Sequence, residues 1–147
     1  MFHYAQGRFS RRLLSFAIPE KYYLNTESID DDTMELLSPD RKTSLYFSLE
    51  LGCRGTAEGL LFDEEEFSQE YIFKDPIEPL QINGLAGHFR LYGTELRQYC
   101  ELRLCLEHRE EGDAELYVMI ATEGDIRKYM ESPVCRQFLS SIRNRCV

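Results

Sequence analysis

The sequence predicts an α+β domain, a largely antiparallel sheet flanked by helices, and three observations carry this. Several short runs alternate apolar and polar residues with the period of two of a half-buried strand. Leu45, Phe47, Leu49 and Leu51, set against Tyr46, Ser48 and Glu50, are the longest example. Turn residues punctuate these runs, as at Pro39-Asp40, Pro76, Pro79 and Gly112-Asp113. Two stretches, one central and one at the end, switch to helical spacing.

The chain has 147 residues, 43% of them hydrophobic and 12% aromatic. That is the size of one domain, and a domain of this length buries roughly 68–70% of its unfolded surface. A single domain over residues 1–147, with its core at about 13–143, is therefore expected to fold without disulfide or metal.

In chain order, "LLSFAIP" reads as a first strand. Ser10-Arg11-Arg12 before it superficially suggests an export signal, but the apolar run from Leu13 to Ile18 is broken by Ser15. It is too short for the about 7–15 apolar residues of a signal core or the about 20 of a membrane span. No secretory or transmembrane segment is expected. Thr33–Ser38 and Thr43–Leu51 then form a hairpin around Pro39-Asp40-Arg41-Lys42. From Gly59 to Pro76 the spacing of Phe62, Phe67, Tyr71 and Phe73 predicts a helix with an acidic first turn, stopped by Pro76. The acidic runs Asp30–Asp32 and Asp63–Glu66 lack the alternating ligands and central glycine of a calcium loop and read as solvated segments. Short strands follow at "LQIN", "GHFRLYG", "YCELRLCLE" and "AELYVMIAT". The last is apolar on both faces and so belongs at the centre of the sheet, covered on both sides. Ser132-Pro133 opens a final helix as N-cap and first residue, with Val134, Phe138, Leu139 and Ile142 as its buried stripe.

Charge and cysteine usage narrow the function classes. Against 17 basic residues stand 26 acidic ones, a net charge of −9 that repels phosphate backbones. Nucleic acid and anionic membrane are not expected partners. The five cysteines (Cys53, Cys100, Cys105, Cys135 and Cys146) are odd in number and contain no C-x-x-C pair. Reduced thiols in the cytoplasm are the expectation.

Cys100, Cys105 and His108 fall within nine residues and suggest a metal or nucleophile site. Strand parity argues against it. Leu102, Leu104 and Leu106 share one face only if the stretch is a strand, which turns Cys100 and Cys105 to opposite faces and also separates Cys105 from His108. Cys100 and His108 share a face but lie roughly 26 Å apart at about 3.3 Å per residue. A bulge repairs one such mismatch, not all of them. No metal site and no cofactor are expected. The motifs G-x-S-x-G, Walker A, H-E-x-x-H and G-x-G-x-x-G are absent from the sequence, and no catalytic residue is assigned.

One constellation remains. With Phe89 and Leu91 facing the core, His88, Arg90 and Tyr92 face the other way, as do Glu101 and Arg103 in the next strand. If those strands are neighbours, a polar sheet face rich in arginine and tyrosine results. These residue types are enriched where partners dock, and an ordinary solvated face laced with ion pairs is the competing reading.

The opening "FAIPEKYYL", the hairpin to Leu51, the helix near Phe67, the "GHFRLYG", "YCELRLCLE" and "AELYVMIAT" strands and the terminal "SPVCRQFLSSIR" together resemble the Mog1/PsbP-like family, including its small bacterial DcrB-like and secretion-chaperone relatives. The resemblance spans about residues 13–143 and is one of pattern. It implies an antiparallel sheet with helices and a binding role; it carries no functional residue over to this chain. Three readings follow. The first is a non-enzymatic protein-interaction module, chaperone- or adaptor-like, binding a protein partner or a second copy of itself through the face of His88, Arg90, Tyr92, Glu101 and Arg103. The second is a small hydrolase or transferase using Cys100 or Cys105 with His88. The third is a structural subunit of a larger assembly.

Overall fold

The computed structural model describes residues 3–5, 8–11, 14–25, 33–61 and 71–143. Strands β1 (His3–Ala5), β2 (Arg8–Arg11) and β3 (Leu14–Ala17) form a small antiparallel sheet. The larger sheet contains β4 (Tyr23–Leu24), β5 (Thr33–Leu37), β6 (Thr43–Cys53), β7 (Phe73–Lys74), β8 (Glu78–Ile82), β9 (Leu85–Gly93), β10 (Gln98–Glu107) and β11 (Asp113–Thr122). Its order is β4-β5-β6-β11-β10-β9-β7, with β8 also paired to β9. Every pairing among the described strands is antiparallel. Helices α1 (Ile126–Glu131) and α2 (Pro133–Ser140) follow β11.

The register explains the core. Leu45↔Ile120, Phe47↔Val118 and Leu49↔Leu116 align β6 with β11, and Cys100↔Ile120, Leu102↔Val118 and Leu104↔Leu116 align β10 with it. Directly paired residues share a face, so these rows make one continuous apolar layer, and all of them are buried. β11 lies between β6 and β10, at the centre as its composition predicts. On its second face Glu115 and Ala121 are buried while Tyr117 and Met119 are half-buried.

The apolar layer is roofed by β3 and α2. Phe16 stacks on Phe47 at 4.5 Å between ring centres, and Phe138 meets both rings at 5.8 and 5.3 Å. The chain after α2 pairs back onto β3, with Ser15 and Arg143 exchanging two backbone hydrogen bonds of 2.8 Å. The predicted capping holds: the Ser132 hydroxyl accepts from the Cys135 amide at 3.3 Å, and Pro133 opens α2. The hairpin turn is tied by its own side chains. Ser38 Oγ donates to Asp40 Oδ1 at 2.6 Å, and the Lys42 amide donates to the same oxygen at 3.0 Å.

Several expectations need correction. The two described α-helices are short and consecutive, so they do not flank the sheet on both sides. β3 is not the first strand, because β1 and β2 precede it. The helix expected over 59–76 lies mostly outside the described residues, which resume at 71; Phe73–Lys74 is strand, and Glu58–Leu60 is a single 3₁₀ turn. The acidic runs at 30–32 and 63–66 also lie outside the described residues. Val134 is exposed; α2 buries Cys135 and Phe138, and Ile142 is buried just beyond the helix end. Among the described residues no helix is long and apolar enough to cross a membrane.

Candidate functional site

The β9–β10 register pairs His88 with Arg103, Arg90 with Glu101 and Tyr92 with Tyr99. The five residues singled out from the sequence therefore share the face opposite the apolar layer. β11 and β6 extend that face with Tyr117, Glu115 and Glu50, which the sequence did not single out.

The face is a connected polar network and not an open solvated surface. Glu101 accepts from two tyrosine hydroxyls, Tyr92 on one carboxylate oxygen and Tyr117 on the other, the latter at 2.6 Å. Burial and the Glu101 charge push both phenols above the ordinary tyrosine range, so both remain protonated donors. Tyr92 is itself buried, stacked on Tyr99 at 5.0 Å and met edge-on by Tyr71 at 5.5 Å. Arg90 holds two neighbouring segments: its Nε donates to the Asp75 carbonyl at 3.2 Å and its Nη1 to the Leu60 carbonyl at 3.3 Å.

Arg103 is the hub. Its guanidinium lies 4.8 Å from the centre of the Tyr117 ring and reaches Glu50 Oε2 at 2.6 Å and Glu115 Oε1 at 3.3 Å. Glu115 is fully buried, and burial raises its carboxyl despite the opposing arginine. Arg103 Nε and Glu115 Oε2 have no hydrogen-bond partner among the described residues. The backbone after β6 passes directly over this cluster: a Cβ at Gly59 would meet Arg103 Nε at 2.6 Å. That segment closes off the middle of the face and leaves two openings beside it. The larger, about 820 Å³, is lined by Arg54, Thr56, His88, Cys105, His108 and Asp113 among others. The smaller, about 220 Å³, carries Glu50, Cys53, Glu58, Arg103 and Glu115. At the larger opening His88 Nδ1 and Thr56 Oγ1 are hydrogen-bonded at 2.7 Å.

Strand parity proves right for Cys100 and wrong for Cys105 with His108. Cys100 is buried in the apolar layer, and burial pushes its thiol far up. Between Cys105 and Glu107 the β10–β11 ladder slips by a residue, and β10 ends at Glu107. His108 therefore turns back to the Cys105 side. Cys105 Sγ lies 3.8 Å from each His108 ring nitrogen, and His108 Nδ1 lies 3.0 Å from Asp113 Oδ1. Asp113 has no counterpart in the sequence reading, since it joins the pair only through the return of the hairpin.

No protein-family model matches the chain, and no curated protein matches it in sequence. Among solved structures it is similar to the Saccharomyces cerevisiae Ran-binding protein Mog1p, at 10% identity and a TM-score of 0.55, over 90% of each chain. It is also similar to a protein of Bacteroides thetaiotaomicron VPI-5482, at 10% identity and a TM-score of 0.53. That alignment covers 90% of this chain but 45% of the other, so this chain spans less than half the Bacteroides protein's length. Such likenesses concern the fold alone, and the chain has a Mog1/PsbP-like fold.

Proposed function

We propose that this chain is a non-enzymatic interaction module, chaperone- or adaptor-like, that receives a protein partner at the polar sheet face of His88, Arg90, Tyr92, Glu101 and Arg103. The observation that carries the reading is the opening of about 820 Å³ at the uncovered end of that face, where His88 and Arg54 are presented. Its volume suits a few anchoring side chains of a partner. In this arrangement Arg90, Tyr92, Glu101 and Arg103 brace the platform from within, and His88 and Arg54 meet the partner. The similarity to Mog1p, itself a Ran-binding protein, supports a protein-binding role.

The cysteine-hydrolase reading draws on the presence of Cys105 and His88 around one opening. It is weakened by the chemistry of the thiol. Burial and the Asp113 and Glu115 carboxylates raise Cys105, the opposite of what a nucleophile needs.

The test uses Arg54 and Gln81, two exposed residues lining the opening. Partners retained from host lysate by the immobilised wild-type chain are identified, and their affinity is then compared with the Arg54→Glu, Gln81→Lys double variant. Exposed substitutions of this kind change stability by no more than about 0.5 kcal/mol each, so melting stays nearly unchanged. Losing an arginine anchor costs about 2 kcal/mol, roughly thirtyfold in affinity. Equal retention of every partner by both proteins overturns the assignment.

A further inference from the structure

We propose that Cys105, His108 and Asp113 form a three-ligand site for a borderline-soft divalent cation of the zinc and cobalt class. This inference does not rest on the partner-binding reading. Its basis is the spacing of three chemically suited donors. One ligand atom from each residue lies within 4.8 Å of those of the other two. A tetrahedral ion with bonds of about 2.0–2.3 Å to nitrogen, oxygen and sulfur holds neighbouring ligands about 3.3–3.6 Å apart. The distances here, 3.8 Å from Sγ to His108 Nδ1 and 3.0 Å from that nitrogen to Asp113 Oδ1, bracket this range before any ion binds. Small side-chain rotations therefore complete three vertices.

The backbone explains why the donors converge. Cys105 pairs with Glu115 across the β10–β11 ladder, and Asp113 lies two residues before Glu115, on the same face. The slip after Cys105 and the end of β10 at Glu107 bring His108 to that side. All three donors then sit on one hairpin, within nine residues of each other. Chelation there closes a short loop and imposes little ordering cost.

The donor set selects the cation. A thiolate with an imidazole favours zinc, cobalt or copper over calcium and magnesium, which take oxygen ligands. On binding, the Cys105 S–H bond breaks, the proton leaves to solvent, and the sulfur lone pair forms the metal–sulfur bond. Thiolate and carboxylate then balance the two positive charges with the imidazole neutral. Burial and the neighbouring carboxylates raise the free thiol, so the metal rather than the protein stabilises the thiolate. Three protein ligands leave a fourth position for water or an incoming side chain, in the arrangement of an open site.

The experiment is titration of the reduced, metal-free full chain with cobalt(II), followed by absorption and calorimetry. One ion per chain with a thiolate-to-cobalt charge-transfer band is expected. Cys105→Ser removes the band, while Cys53→Ser keeps it and so excludes the rival thiol on β6. Altering hydrogen-bond partners outside a metal's ligand set already costs about 10–100-fold in affinity. His108→Asn and Asp113→Asn, which remove ligands, are therefore expected to weaken binding by at least about tenfold each. His108 is exposed, so its variant keeps the fold and its result stands even if another variant misfolds. A titration without the band, a band that survives Cys105→Ser, or an affinity unmoved by His108→Asn overturns the site.

Discussion

Arg103 crosses the ring of Tyr117 to reach Glu50, so a guanidinium on β10 is paired with a carboxylate on β6 two strands away, at 2.6 Å. The same nitrogen lies 3.3 Å from Glu115, which is fully buried. Arg103→Ala strands that buried carboxylate without its cation, a change that typically costs about 3–5 kcal/mol. Urea unfolding at neutral pH measures it. Glu115 already has a raised carboxyl in the folded state, so the folded chain binds its proton more readily than the unfolded chain. Removing the opposing Arg103 charge raises that carboxyl further, so the variant takes up the proton at higher pH than the wild type and its deficit shrinks as the pH is lowered; adding Glu115→Gln recovers much of it at neutral pH. A loss under about 1 kcal/mol would mean the pair is dispensable to the fold.

Phe138 joins α2 to the core through Phe16 and Phe47 and is 2% exposed. Phe138→Ala leaves a void between three elements that are distant in sequence. Equilibrium unfolding should show a loss of about 3–5 kcal/mol. A loss below about 1 kcal/mol would place α2 outside the cooperative unit. Val134→Ala, on the exposed side of the same helix, serves as the control and should change stability by no more than about 0.5 kcal/mol.

Arg127 grips Asp75 with both terminal nitrogens, at 2.6 and 2.9 Å, and lies over the Phe73 ring at 4.9 Å. The hydrogen bonds from Arg127 hold the Asp75 carboxyl below its usual range. A depressed folded-state value means the contribution is fully present above the unfolded carboxyl value of about 3.9 and is lost as pH falls through the folded one. The pair is exposed to solvent, so its worth at neutral pH is small. Melting temperatures of wild type and Arg127→Gln should run nearly parallel above about pH 5 and converge below it. Curves that stay parallel down to pH 2 would show that the pair carries no linkage.

What was legible in the sequence follows the range of the interaction that decides it. The alternation of Leu102, Leu104 and Leu106 revealed β10 and the burial of Cys100, because parity is local. Ser132-Pro133 marks the start of α2 for the same reason, and of the expected stripe Phe138 and Ile142 are buried and Leu139 partly so, while Val134 is exposed and Cys135 is buried instead. Helix α1 has a local signal of the same kind in Asp125 before Ile126, whose carboxylate accepts the Arg127 and Lys128 amides, but its single turn and a half is too short to show a helical period. The covering of the polar face was not legible. It depends on the segment after β6 folding back over a strand some forty residues later, which no local pattern encodes. The slip after Cys105 was equally hidden, since a bulge leaves the residue types unchanged and alters only their direction.

Thiol reactivity separates an interaction module from a cysteine enzyme. Burial, reinforced by Glu115 and Glu50, pushes the Cys53 thiol up to about 11, and burial alone pushes Cys135 up to about 12. Cys100 is driven up further by its place in the core, and Cys105 is raised by burial and by Asp113 and Glu115. All four are protonated at neutral pH, and only the thiolate reacts. Alkylation of the metal-free chain, read residue by residue by mass spectrometry, should therefore be slow at pH 7. Cys53 and Cys105, which are partly exposed, should speed up by about tenfold per pH unit towards alkaline pH without levelling off near neutrality. Cys100 and Cys135 are buried and should label only at the rate of unfolding. Rapid, pH-independent labelling of Cys105 below pH 7 would reveal a stabilised thiolate, and His108 with Asp113 would then have to be read as the base and its orienting carboxylate.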